Sequence, residues 1–329
     1  MKSPMLRLTA LLLCLFASLA QAVPTSILQR PYDLDTGSGV LRGTLLLPQT
    51  PTPPPVALLI AGSGPTDRDG NNPEGGNNGY LRRLAEALAA EGIASVRYDK
   101  RGIARSQPAA PHEEQLSVEG YAADVVAWSD ALASDPRFGR QILIGHSEGA
   151  LIASLAAPRS RAAALVVISG SARPIDAVLH EQLQARLPAP LLRQAERIML
   201  SLRAGHAQPQ VPSALQVLFR PSVQPYLISL FRHHPAEAFA KVRQPALILQ
   251  GTSDIQVSVA DAEALKRAKP DAELHLIAGM NHILRIVPAN AAQQLASYNN
   301  PNLPLASELV QRIVAFIQRN ASPSGNQPA

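Results

Sequence analysis

A serine stands between two glycines at the seam of two apolar runs. Gln141 to Ile144 reads as a short buried strand, Ala150 to Ala157 reads as an apolar helix, and Gly145-His146-Ser147-Glu148-Gly149 joins them. A strand-to-helix turn this tight forces the serine into a strained backbone and pushes its hydroxyl into the open. Its flanking positions have no room for a Cβ, the pattern of a G-x-S-x-G nucleophile turn. A hydroxyl is a poor nucleophile until a base takes its proton, and the base needs a third group to fix its tautomer. Asp254 follows the apolar run Pro245 to Gln250, and His282 follows the run Ala272 to Ala278. The chain order is therefore Ser147, Asp254, His282, with one helix and one strand between the last two. Asp261 is the nearest alternative acid but falls inside the next helical pattern. His112, His180, His206, His233, His234 and His275 lie in loops, in a helical region or within a strand, and are poorer bases.

Acyl chemistry at a serine also needs two N–H groups aimed where negative charge develops. One is expected from Glu148, directly after the nucleophile. The other is expected from the loop after Val56 to Ile60, where Gly62, Ser63 and Gly64 let the backbone approach a substrate. Ser63 is the favoured donor and Gly64 the alternative; Gly62 and Gly64 are expected to line the substrate. In the same loop Asp67, Asp69 and Asn71 alternate as calcium ligands do. The sixth position is Asn72 instead of glycine and the twelfth is Asn78 instead of glutamate, so no metal is expected. Arg68 and Asp69 are expected to shape the pocket wall or pair with each other, and Asp99 and Arg101 to organise the following loop.

These residues must be carried by a scaffold that brings distant loops to one edge. Short apolar runs alternate with helical patterns: Val56 to Ile60, Ile93 to Tyr98, Gln141 to Ile144, Ala163 to Ser169, Pro245 to Gly251 and Ala272 to Gly279 are expected strands. Gly79 to Gly92, Ser117 to Asp135 (with Ser117 as a candidate N-cap), Val259 to Pro270 and Leu305 to Gln318 are expected helices. Upstream, Tyr32 to Pro48 reads as two strands about a Gly-Ser-Gly turn. Strands separated by helices mean crossover connections and a mostly parallel sheet covered on both faces. Residues 173–241 break this rhythm with several proline-interrupted helices and no strand signal, an insertion between two strands.

The chain has 329 residues and opens with Lys2 and Arg7, an apolar run from Leu8 to Leu19 and Ala20-Gln21-Ala22. This reads as a cleavable secretory signal over residues 1–22, so a periplasmic or secreted protein with no stable membrane insertion is expected. The run is too short to span comfortably. Leu13 before Cys14 argues against lipidation. Cys14 is the only cysteine, so no disulfide can brace the mature chain. The net charge of +5 is scattered and aromatic residues are few, which excludes a nucleic-acid surface. The expected organisation is a core over 23–172, the helical insertion over 173–241, a second core segment over 242–320 and a disordered tail over 321–329.

The segments "GSGPTDRDGNN", "YDKRGIARS", "GHSEG", "LILQGTSDIQV" and "AGMNHILR" together resemble the α/β-hydrolase family, in particular the serine-aminopeptidase-like branch of exported bacterial hydrolases. The resemblance runs from about residue 30 to 319. It implies an α/β-hydrolase fold, a mostly parallel central sheet flanked by helices with a helical cap inserted between two strands. It implies Ser147 as nucleophile, Asp254 as acid and His282 as base, and no cofactor. Ala61-Gly62 stands where many relatives have His-Gly, so no histidine role carries over there. The leading expectation is a serine hydrolase that cleaves carboxylic esters through an acyl-enzyme. The alternatives are a peptidase, amidase or thioesterase using the same residues, with Glu148, Glu181 or Glu196 binding a substrate amine, or a binding protein that has lost the chemistry. The substrate is in each enzymatic case a small ester or a short peptide.

Overall fold

The computed structural model describes residues 26–288 and 290–321. The expected leader and the expected tail beyond Ala321 lie outside the described residues.

The body is an eight-stranded sheet. Its strands are β1 (Ile27–Pro31), β4 (Gly43–Pro48), β5 (Val56–Ile60), β6 (Ala94–Tyr98), β7 (Gln141–His146), β8 (Ala164–Ile168), β9 (Ala246–Gly251) and β10 (Glu273–Ile277); β2 (Leu34–Asp35) and β3 (Val40–Leu41) form a separate hairpin. Across the large sheet the order is β1-β4-β6-β5-β7-β8-β9-β10. β1 and β4 pair antiparallel, as do β4 and β6, and every later neighbour is parallel.

β5 to β9 are buried at every position, the mark of parallel strands with both faces covered. Alternate residues feed opposite cores. Leu58, Ile60, Leu143, Leu165 and Val167 face one, while Ala57, Leu59, Ile142, Ile144 and Val166 face the other. The first face is covered by α2 (Val118–Ala133), α3 (Glu148–Ala156) and α9 (Val259–Ala268), through Val125, Trp128, Ile152 and Leu265. The second is covered by α1 (Tyr80–Ala90) and α11 (Ser307–Ala321), whose Leu81, Leu84, Leu88, Leu309, Ile313 and Ile317 repeat at helical spacing. Ser117 caps α2, its Oγ accepting from Gly120 N at 3.0 Å.

Between β8 and β9 lie α4 (Ile175–Gln184), α5 (Ala189–Arg203), α6 (Gln216–Phe219), α7 (Gln224–Phe231) and α8 (Pro235–Ala240). The remaining helix, α10 (Ala291–Ser297), follows the β10 loop. Three elements differ from expectation, α10 among them because no helix was read there. β1 was not foreseen, and α11 runs through Ala321, the first residue assigned to the tail.

Candidate functional site

The parallel part of the sheet delivers its loops to one edge in the order β6, β5, β7, β8, β9, β10. Lys100 follows β6, Gly62 and Ser63 follow β5, Ser147 follows β7, Asp254 follows β9 and His282 follows β10. The strands thus bring these candidate residues to one edge.

Ser147 sits at φ 55° and ψ −123°, directly before α3. Positive φ in a residue with a Cβ is strained, and here the neighbours leave no alternative. A Cβ on Gly145 would stand 2.2 Å from the Gly149 carbonyl oxygen, and one on Gly149 would stand 2.3 Å from that of Ile60. A Cβ on Gly62 would stand 3.1 Å from Ser147 Cβ, so the β5 loop lies against the serine. The N–H of Ser147 is committed to Ile168 O at 2.9 Å. Among the described residues the N–H groups of Ser63 and Glu148 have no acceptor.

Asp254 and His282 are brought together. His282 Nδ1 donates to Asp254 Oδ2 at 2.8 Å, which leaves Nε2 as the lone-pair nitrogen. Asp254 Oδ1 accepts from the N–H groups of Gln256 and Val257 at 2.8 and 3.0 Å, and Oδ2 also accepts from Gln250 Nε2 at 3.2 Å. Burial works to raise the Asp254 pKa, but the pairing with His282 and the two backbone donors prevail and hold it down at about 2. Both side chains are buried, Asp254 fully. No hydrogen bond links Ser147 Oγ to His282 among the described residues.

His146, which the sequence reading passed over, holds the His282 loop. Its ring lies between those of Tyr80 and His282, with centroids at 4.6 and 4.8 Å. Burial lowers its pKa to about 3, so it is neutral. The His282 carbonyl can only accept, so His146 Nε2 donates to it at 2.8 Å and Nδ1 accepts from Tyr80 Oη at 2.8 Å. The available signal was its position one residue before the serine, at the buried end of β7.

Lys100 was also missed. It is buried, 1% exposed, and donates from Nζ to the Gly62 carbonyl oxygen. Nζ lies 3.7 Å from Glu148 Oε1 and 5.2 Å from the centroid of the Tyr121 ring. Tyr226 Oη, on α7, donates to Glu148 Oε1 at 2.6 Å. Burial lowers the Lys100 pKa, against the opposing pull of Glu148.

Other expectations divide. Arg68 and Asp69 do not pair with each other: Arg68 binds Asp99 at 2.6 Å and Asp69 binds Arg97 at 2.7 Å. The reason is register, since both partners end the neighbouring strand and a side chain cannot easily reach its own sequence neighbour. Asp99 also accepts from Arg105 N, and Arg101 binds Asp124 at 2.6 Å and the Ala109 carbonyl, so both order the loop after β6. Asp67 accepts from the N–H groups of Asp69 and Asn71, closing its own turn. Asp261 caps α9 with Ser258 and binds Arg173, away from His282.

A cavity of about 440 Å³ opens above the serine. Its floor includes Ser63, Gly64, Ser147 and Glu148, and its walls are mainly apolar side chains of α4, α6 and α7, among them Val178, Leu179, Leu218 and Leu227.

The family model described as serine aminopeptidase, S33, matches residues 76–221, a span that includes Lys100 and Ser147 and stops before Asp254 and His282. Esterase EstD of Thermotoga maritima is 27% identical over 248 residues, covering 74% of this chain and 58% of that one. Among solved structures, Est1E from Butyrivibrio proteoclasticus superposes with a TM-score of 0.57 at 18% identity, over 88% of this chain and 98% of that one. Proline iminopeptidase from Mycobacterium smegmatis gives 0.56 at 15% identity, over 89% and 99%. The chain thus spans little more than half the length of its curated esterase relative, and the structural likenesses speak for the fold. Family model, sequence relative and structural neighbours converge in supporting an α/β-hydrolase family for this chain.

Proposed function

We propose that the protein is a serine hydrolase that cleaves carboxylic esters through an acyl-enzyme. The observation that carries this is the pair His282 and Asp254. The His282 Nδ1–H is spent on a buried carboxylate at 2.8 Å, so its Nε2 is left as a base on the sheet edge where Ser147 is exposed by its turn. Ser147 Oγ attacks the ester carbonyl carbon as His282 Nε2 takes its proton. The Ser63 and Glu148 N–H groups, which have no other acceptor among the described residues, receive the oxyanion. Collapse expels the alcohol, which leaves with the proton held by His282. Water activated by the same nitrogen then releases the acid.

Esters are favoured over peptides by the apolar cavity wall and by the engagement of the three acids named above as amine binders; of the other cavity acids, Glu74 has no side-chain partner among the described residues. An aminopeptidase needs a free carboxylate for the substrate amine. Glu148 is engaged by Lys100 and Tyr226, Glu181 by Arg173 and Glu196 by His180. The walls of the cavity are mainly apolar, which suits an acyl chain. The name of the Thermotoga maritima relative, an esterase, points the same way.

The test compares a p-nitrophenyl ester with the p-nitroanilide of the same acyl group, over graded chain lengths. The expected result is turnover of esters and little or none of anilides. Anilide turnover equal to ester turnover would make the protein an amidase, and no turnover of either, with no labelling by a fluorophosphonate, would leave it a binding protein. Export of the mature chain from Val23 is part of the same proposal. It rests on the leader sequence alone, and mass spectrometry of the exported protein checks it.

A further inference from the structure

Lys100 has no part in the proton transfers just described, yet it is among the most completely buried cations of the molecule. A buried ammonium is costly unless it is paired and hydrogen-bonded. Its partners show what it is held for. The carbonyl oxygen it binds belongs to Gly62, and the N–H on the other side of that same planar peptide is that of Ser63. Fixing the oxygen therefore fixes the direction of the N–H. A positive charge on the carbonyl also draws electron density from the amide and makes its N–H a stronger donor. The carboxylate beside Lys100 belongs to Glu148, whose own backbone N–H is the second donor. One side-chain pair thus spans the two peptide groups that must converge on a single oxygen. Tyr226 ties this pair to α7 in the helical insertion.

We propose that Lys100 is a positioning residue for the oxyanion, holding the Gly62–Ser63 peptide so that the Ser63 N–H points at the developing charge, with Glu148 and Tyr226 bracing it from α3 and α7. This rests on the esterase reading above and on Ser63 as donor. It concerns the transition state, because the ester carbonyl of the ground state needs the donor far less than the tetrahedral oxyanion does.

The experiment uses Lys100→Met, which keeps the length and loses the charge, and Glu148→Gln, which keeps the shape and the Tyr226 contact. Rates are taken per active site titrated with a fluorophosphonate, so that misfolded protein drops out. The expected result for Lys100→Met is a fall in kcat of roughly ten- to a hundredfold with KM within about twofold, and for Glu148→Gln a smaller fall in the same direction. The inhibition constant of a trifluoromethyl ketone, whose adduct carries the oxyanion, should weaken by the same factor as kcat/KM. A residue that only filled space would reduce the titrated sites and leave both constants alone. Lys100→Met within twofold of wild type on kcat and on ketone inhibition overturns the proposal while leaving the esterase reading intact. If Lys100→Met does not fold, Glu148→Gln decides in the same way. A wild type inert towards every ester, or a Ser147→Ala variant as active as wild type, removes the esterase reading and this proposal with it.

Discussion

The turn at Ser147 and the helical insertion over α4 to α8 face each other across one cavity and are built on opposite terms. At the turn, backbone meets backbone. A methyl group on Gly145 or Gly149 would enter a carbonyl oxygen at 2.2 or 2.3 Å, and nothing in that contact can swing aside. In the insertion, side chain meets side chain. Leu200, Val217 and Leu218 remain 69%, 68% and 38% exposed, and the cavity wall is mainly of aliphatic side chains that meet neighbours only through packing. Backbone contact specifies residues one at a time, whereas apolar packing specifies little beyond volume and polarity. The structure is therefore fixed residue by residue on one side of the cavity and left adjustable on the other.

That contrast can be broken at either end. The largest effect is expected for Ser147→Ala, a loss of about a thousandfold or more in ester turnover with an unchanged thermal midpoint. Retention of a tenth of the activity would remove Ser147 from the chemistry. Asp254→Asn should cost roughly a hundred- to ten-thousandfold in kcat, because an amide no longer enforces the His282 tautomer. A variant within a few-fold of wild type would show that the 2.8 Å contact is structural only.

The pH dependence sharpens the same point. Asp254 titrates at about 2, so it stays ionised through the working range. A one-proton fall of kcat/KM on the acid side, above about pH 4, must then come from the base. A profile flat to that limit would deny His282 the role. The sign for stability follows from the depressed value. The contribution of the Asp254 carboxylate is fully present above the ordinary carboxylate range and is lost as pH falls through about 2.

Smaller effects follow. Gly149→Ala should cost about 2 to 4 kcal/mol in unfolding free energy, read from denaturant midpoints. A midpoint equal to wild type would mean that the turn can give way. Leu218→Ala in the cavity wall should leave the fold unaffected. It should change kcat/KM by about threefold to tenfold, and only for the longer acyl groups. An equal change for acetate and long-chain esters would show that the wall does not contact the acyl group.

What could be read from the sequence follows the same division. The parallel strands announced themselves because burial on both faces demands unbroken apolar runs such as Ala164–Ile168. The Ser147, Asp254 and His282 positions were legible as candidates because each follows a strand, Gln141–His146, Ala246–Gly251 and Glu273–Ile277. β1 was not, since Ile27–Pro31 is exposed at all five positions and carries no apolar alternation. α10 was hidden by its short length after an irregular loop. His146 and Lys100 were overlooked because nothing in a single polar letter tells a solvated side chain from one buried against a carbonyl. The expected Arg68–Asp69 pair failed because partners across strands outrank neighbours along the chain.

β1 bears on how the molecule would come apart under load. Among the described residues it is held by its ladder to β4, from Ile27 against Pro48 to Pro31 against Thr44, and none of its five residues is seated in either core. A pull on the amino-terminal end meets these pairs one after another, as a zip, so the force needed is that of a single rung. Beyond β4 the load reaches strands buried on both faces, where many contacts must fail together. β1 can thus be tugged or clipped at small mechanical cost, while the loops after β5 and β6 feel a pull only once it reaches Thr36, Arg42 and Thr44, which are bonded to Arg101, Ser106 and Arg68.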